Sequence, residues 1–119
     1  MTEYDDDLRS AKALELWGYD FQFDMVVEEL SELIVAVQHM KRRPNVSTVR
    51  HVATEIADVE IMLKQLIYIM EYSEYFSQKT AGVFIEFLED MRSFKRYRLN
   101  DRIETAIAEN EVKHNDTNL

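Results

Sequence analysis

The 119-residue chain has no cysteine, a single proline (Pro44) and only two glycines (Gly18 and Gly82). Without cysteine there is no disulfide framework, no thiolate zinc site and no iron–sulfur cluster. With so few glycines there is no G-x-G-x-x-G, no G-x-x-x-x-G-K-[ST] and no G-x-S-x-G, which excludes the usual backbone cradles for phosphate and the nucleophile elbow. The shortage of turn-forming residues also argues against a domain of many short strands. No apolar run reaches the length of a membrane span. The first residues, MTEYDDDLRS, are acidic where a secretion signal is basic and then apolar, so a soluble, cytoplasmic protein without a membrane partner is expected. Acidic residues outnumber basic ones 23 to 14, a formal net charge of −9. That charge disfavours nucleic acid as a partner, because phosphate backbones are bound through Lys and Arg.

What remains is the composition of a small folded domain, 46% hydrophobic and 31% charged. A core of this size gains from oligomerisation. The pattern is helical throughout. A first helix is expected over about Asp6–Trp17, opened by Asp5-Asp6-Asp7 and stopped at Gly18. A second runs over about Asp20–Arg42, with Phe23, Val26, Leu30, Leu33, Val37 and Met40 as its seam, and closes in Lys41-Arg42-Arg43 before Pro44. A third, capped by Ser47 or Thr48, extends to about Tyr75 on the seam Val49, Val52, Ile56, Val59, Leu63, Leu66 and Met70. Ser77–Thr80 is a polar break, and a fourth helix covers about Ala81–Ala108, with an interruption near Asn100. The short link between the second and third helices makes them an antiparallel hairpin. The expected fold is a single all-α domain over 1–119, of four to five helices, with 1–5 and 109–119 as flexible tails. Its hairpin would form a four-helix bundle on oligomerisation.

Two acidic pairs stand out, Glu29 with Glu32 and Glu55 with Asp58. Each is spaced i, i+3, so both carboxylates of a pair point to one side of their helix. Each borders an apolar seam, where carboxylates lose solvation and repel one another. Protonation, basic partners or divalent cations would compensate, and hard oxygen ligands suit Mg²⁺ or Mn²⁺. Such pairs also arise by chance in an acidic helical chain, as Glu71 with Glu74 and Glu86 with Glu89 illustrate.

The run Glu28-Glu29-Leu30-Ser31-Glu32-Leu33, a gap of 22 residues, and then Glu55-Ile56-Ala57-Asp58 resembles the all-α nucleoside triphosphate pyrophosphohydrolases. These form the MazG-like superfamily, with the dimeric dUTPases, dCTPases and phosphoribosyl-ATP pyrophosphatase. Trp17-Gly18, Gln22 and the basic stretch Phe94-Lys95-Arg96-Tyr97-Arg98 add to the resemblance, which covers about residues 8–105. It implies that Glu29, Glu32, Glu55 and Asp58 bind Mg²⁺, with Mn²⁺ as a substitute. It further implies that the protein hydrolyses a nucleoside triphosphate to its monophosphate and pyrophosphate as a dimer or tetramer. Glu28 or one of the four ligands would deprotonate the attacking water, with Glu28 and Glu32 as the candidate catalytic residues.

Lys95, Arg98 and Arg102 share a helical face suited to a phosphate chain, or to plain solvation. Gln22 and His39 lie two turns from the acidic pair on the same stripe, in reach of base or sugar. Trp17 could stack on a base but is expected in the core, and His51, four residues before Glu55, either pairs with Glu55 or, as expected, faces solvent. Glu111 and His114 form a lone E-x-x-H where a di-iron bundle needs two. The rival reading is a non-catalytic helical protein whose wide apolar faces serve oligomerisation or a partner helix. A third is a nucleotide binder without turnover, against which the intact acidic set argues.

Overall fold

The computed structural model describes residues 3–73 and 82–117, and it is helical, with no strand among the described residues. Three helices follow in chain order: α1 (Glu3–Arg42), α2 (Val46–Tyr72) and α3 (Phe84–Thr117). Among the described residues the elements number three, because the first two expected helices join end to end at Gly18 as one element. That element is broken internally at Gly18, whose φ of 81° and ψ of 170° are not helical. Only glycine takes such angles at little cost, so the break expected from the sequence is present as a kink. The polar break Ser77–Thr80 and the expected helix start at Ala81 lie outside the described residues. α3 passes Asn100 without interruption and continues beyond Ala108 to Thr117.

α1 closes with His39, Lys41 and Arg42 in its last turn, cations placed against the negative end of the helix dipole. Pro44 then prevents its continuation. The cap of α2 is Asn45, not Ser47 or Thr48. The Thr48 amide donates to Asn45 Oδ1 at 2.9 Å, and the Asn45 amide donates to Thr48 Oγ1 at 3.1 Å, a reciprocal capping box. Thr48 thus serves at the third helical position. Its hydroxyl also donates to the Arg43 carbonyl at 2.9 Å, which ties the two helix ends together.

The chain forms two compact units, Met1–Phe84 and Ile85–Leu119. In the first, α1 and α2 pack as an antiparallel hairpin. Its seam differs from the expected one by a fraction of a turn. The residues most removed from solvent are Ser10, Ala13, Gln22, Val26 and Ala36 on α1 and Thr48, Glu55, Val59, Met62, Ile69 and Glu71 on α2. Leu30, Val37, Val49, Ile56 and Leu63, expected at the centre of the seam, are exposed. The segment before the kink also meets α2, where the Lys64 ammonium donates to Asp6 Oδ2 at 2.6 Å. A cavity of about 350 Å³, lined by Arg9, Ser10, Ile61 and Gln65 among others, lies between them. No described helix is long and apolar enough to cross a membrane.

Candidate metal centre

The hairpin register brings the acidic residues together. Gln22 Nε2 donates to Gln65 Oε1 at 2.9 Å, which fixes those two positions as level. In an antiparallel pair, seven residues further along α1 corresponds to seven back along α2, so Glu29 is level with Asp58. By the same count Glu32 is level with Glu55. Carboxylate oxygens of Glu29, Glu32 and Glu55 lie within 4.8 Å of one another. Asp58, expected as the fourth ligand, is outside that group of three, yet its charge acts on Glu29.

Burial is uneven across the cluster: Glu32 is exposed, Glu29 is part-buried and Glu55 is buried. Glu55 is only 7% exposed, because it occupies a seam position on α2 and does not merely border the seam. One of its oxygens, Oε1, lies 3.1 Å from His51 Nε2. His51, expected to face solvent, is therefore engaged with the cluster while its ring remains half-exposed. The other oxygen, Glu55 Oε2, is buried without a hydrogen-bond partner, and so is Glu29 Oε2. Buried polar atoms are rarely left in this state, since desolvation without a new bond is costly. Glu29 shows the consequence. Desolvation holds its carboxyl above the usual carboxylate range, with Glu32, Asp58 and Glu55 adding repulsion and a hydrogen bond from the protonated form to Glu32 adding to the rise.

Two species can relieve such a cluster, a proton or a cation. With Mg²⁺–oxygen distances of about 2.05 Å, oxygens around one ion are about 2.9 Å apart in neighbouring octahedral positions and about 4.1 Å apart in opposite ones. A mutual separation within 4.8 Å thus needs only a small inward movement of side chains. The donors are hard oxygens, and two of them have no other partner. Glu29, Glu32 and Glu55 can hold a metal ion.

The remaining candidates are placed as follows. Glu28 is exposed on the turn beside Glu29, and His39 is exposed in the last turn of α1. Gln22, a candidate for contact with base or sugar, is 2% exposed and its amide is engaged by Gln65. Lys95, Arg98 and Arg102 are exposed on α3, in the second unit, and the Arg98 guanidinium sits 5.8 Å from the centroid of the Phe94 ring. Glu111 and His114 are exposed on the same helix. Trp17 is not a core residue. It is 57% exposed and its ring lies 5.9 Å from that of Phe21. Gln65, seven residues after Asp58, is the partner that spacing could have supplied and the sequence reading missed. Comparison with protein-family models, with curated proteins and with solved structures finds no match to this chain.

Proposed function

We propose that the protein is a Mg²⁺-dependent nucleoside triphosphate pyrophosphohydrolase of the MazG-like all-α type, with Mn²⁺ as a substitute ion. The observation that carries this reading is the pair of buried, unpartnered oxygens, Glu29 Oε2 and Glu55 Oε2, within a three-carboxylate cluster. Glu29, Glu32 and Glu55 would hold the ion, with Asp58 completing the set. When bound, the ion neutralises phosphate oxygens, orients water and lowers its pKa. A triphosphate approaching a protein of net charge −9 needs that neutralisation.

In the reaction, the oxygen of water forms a bond to the α-phosphorus and the bond from that phosphorus to the bridging oxygen breaks. Pyrophosphate leaves with the electron pair. Glu28, exposed and adjacent to the cluster, accepts the proton of the water. Glu32 is the second candidate for that role.

The apolar residues left exposed on the hairpin are proposed to pack against a second copy, forming a four-helix core. The rival reading, a non-catalytic protein that uses the same surface for oligomerisation or a partner helix, does not need two buried carboxylate oxygens without hydrogen-bond partners. A pyrophosphate-release screen over ribo- and deoxyribonucleoside triphosphates, with Mg²⁺ and with chelator, separates the two. Release that chelator abolishes supports the enzyme. Absence of release from every nucleotide, together with no stabilisation of the fold by Mg²⁺ or Mn²⁺, refutes it.

A further inference from the structure

We propose that His51 is a positioning residue of the metal centre: it holds Glu55 Oε1, so that Glu55 meets the ion through Oε2 alone, a mode that favours Mg²⁺ or Mn²⁺ over Ca²⁺. This role rests on the reading of the acidic cluster as a metal site and adds how that site chooses its ion.

The contact is built into α2. His51 and Glu55 are four residues apart on one helix, so their side chains share a face. His51 Nε2 stands 3.1 Å from Glu55 Oε1. An ionised carboxylate can only accept, so against it Nε2 carries the proton and donates. Between two solvated side chains such a pair contributes little. Here the partners are unlike. The His51 side chain is 52% exposed and that of Glu55 only 9%. An imidazole open to solvent thus engages one oxygen of a buried carboxylate and leaves the other, Oε2, buried without a partner. Glu29 and Glu55 belong to the same cluster of three carboxylates, and each keeps one such oxygen. The two oxygens of Glu55 are therefore sorted, one committed to a hydrogen bond and one open to a cation.

That sorting bears on the choice of ion. Mg²⁺ is small and demands near-octahedral geometry, to which a carboxylate contributes one oxygen. Ca²⁺ is larger, takes more oxygens and accepts both from one carboxylate. With Oε1 held by His51, a two-oxygen grip by Glu55 costs the hydrogen bond, whereas the one-oxygen mode keeps it. Groups that hydrogen-bond a ligand from behind also fix its orientation, so their loss weakens metal binding.

The test uses the full chain, with Mn²⁺ binding followed by electron paramagnetic resonance and Mg²⁺ and Ca²⁺ binding by displacement of Mn²⁺. The parent is compared with His51→Leu, which cannot donate, and with His51→Gln, whose amide can donate to a carboxylate one turn on. His51→Leu is expected to weaken Mn²⁺ and Mg²⁺ about 10- to 100-fold and Ca²⁺ by less, because the freed Glu55 then offers both oxygens. His51→Gln is expected to restore the parent's order of preference. Equal losses for all three ions mark a general loosening of the fold and overturn the positioning role. So does His51→Gln that behaves as His51→Leu. A nitrogen coupling in the Mn²⁺ spectrum of the parent that vanishes in His51→Gln makes His51 itself a ligand and also overturns it. A parent that binds Mn²⁺, with His51→Leu unchanged in affinity and preference, refutes the role and leaves the metal site standing. A parent that binds none of the three ions refutes the site and the role together.

Discussion

At the scale of the residue, Glu29 is where sequence, packing and chemistry meet. Its carboxyl is held above the usual carboxylate range, so in the metal-free protein the folded state binds a proton more tightly than the unfolded chain does. Folding stability from this group is then present at low pH and is lost as pH rises through the folded-state pKa. Glu29→Gln removes the charge and keeps the shape. In chelator at neutral pH the variant should unfold at higher denaturant than the parent, and the gap should close as pH falls towards the carboxylate range. Adding Mg²⁺ should reverse the order, because the parent gains a ligand set that the amide weakens. Urea titrations at several pH values, with and without Mg²⁺, measure all three. A parent that is the more stable in chelator at neutral pH would contradict the repulsion at this site. The i, i+3 spacing already placed Glu29 and Glu32 on one side of a helix. It did not show that Glu55 occupies the seam itself with one oxygen left unpartnered, because that depends on how α1 and α2 rotate against each other, whereas the His51 contact follows from i, i+4 spacing within α2.

At the scale of the element, the helix limits were legible where single residues dictate them. Gly18 and Pro44 mark discontinuities that backbone sterics demand. Adding a Cβ at Gly18 meets no atom within 4 Å, so any cost of Gly18→Ala comes from backbone angles and not from collision. Alanine at φ 81° and ψ 170° is strained by about 1–3 kcal/mol, and Gly18→Ala should lower stability by that amount or straighten α1. Thermal unfolding measures the first outcome. A loss of the ring contact between Trp17 and Phe21, seen in Trp17 emission, reports the second. The start of α2 was less legible, since Asn45, Ser47 and Thr48 are all good capping residues. The reciprocal bonds between Asn45 and Thr48 settle it, and Asn45→Ala should cost about 0.5–2 kcal/mol while Ser47→Ala costs far less. The seam was the least legible part. Each hairpin helix carries apolar residues over a wide arc, and two neighbouring stripes satisfy the same 3–4 spacing. The chain packs the stripe that contains Gln22, Ala36 and Glu55, and leaves Leu30 and Ile56 outside. Small Ala36 permits close approach, and the Gln22–Gln65 bond satisfies a polar pair that an apolar seam would exclude. Periodicity alone does not contain that choice.

At the scale of the whole molecule, the displaced seam divides the hairpin into two unlike sides. On the stripe one residue beyond the seam, α1 exposes the apolar residues Val27, Leu30, Ile34 and Val37, and α2 exposes the apolar residues Val49, Ile56 and Leu63. One residue turns a helix by about 100°, and in antiparallel helices the two following stripes fall on the same side. All seven side chains are exposed. The preceding stripes carry Glu28 and Glu32 on α1 and His51 and Asp58 on α2, together with the exposed Phe21, Val35 and Ile61, so the acidic residues face away from the side lined by Ile34 and Ile56. A largely apolar side, interrupted by the exposed Glu60, is unusual for a monomer and suits a self-complementary contact related by a twofold axis. Such a contact would bury the leucines and isoleucines that the single chain exposes and leave the carboxylates open to a substrate. The chain should therefore sediment as a dimer or larger. Ile34→Glu and Ile56→Glu, each placed where the single chain is already open to solvent, should shift it to monomer while helical circular dichroism is retained. Because the net charge of −9 opposes association, added salt should tighten the parent assembly by screening that repulsion. Self-association held by charge pairs would weaken with salt instead. A parent that sediments as a monomer at all salt concentrations would remove the second copy as the occupant of the apolar side.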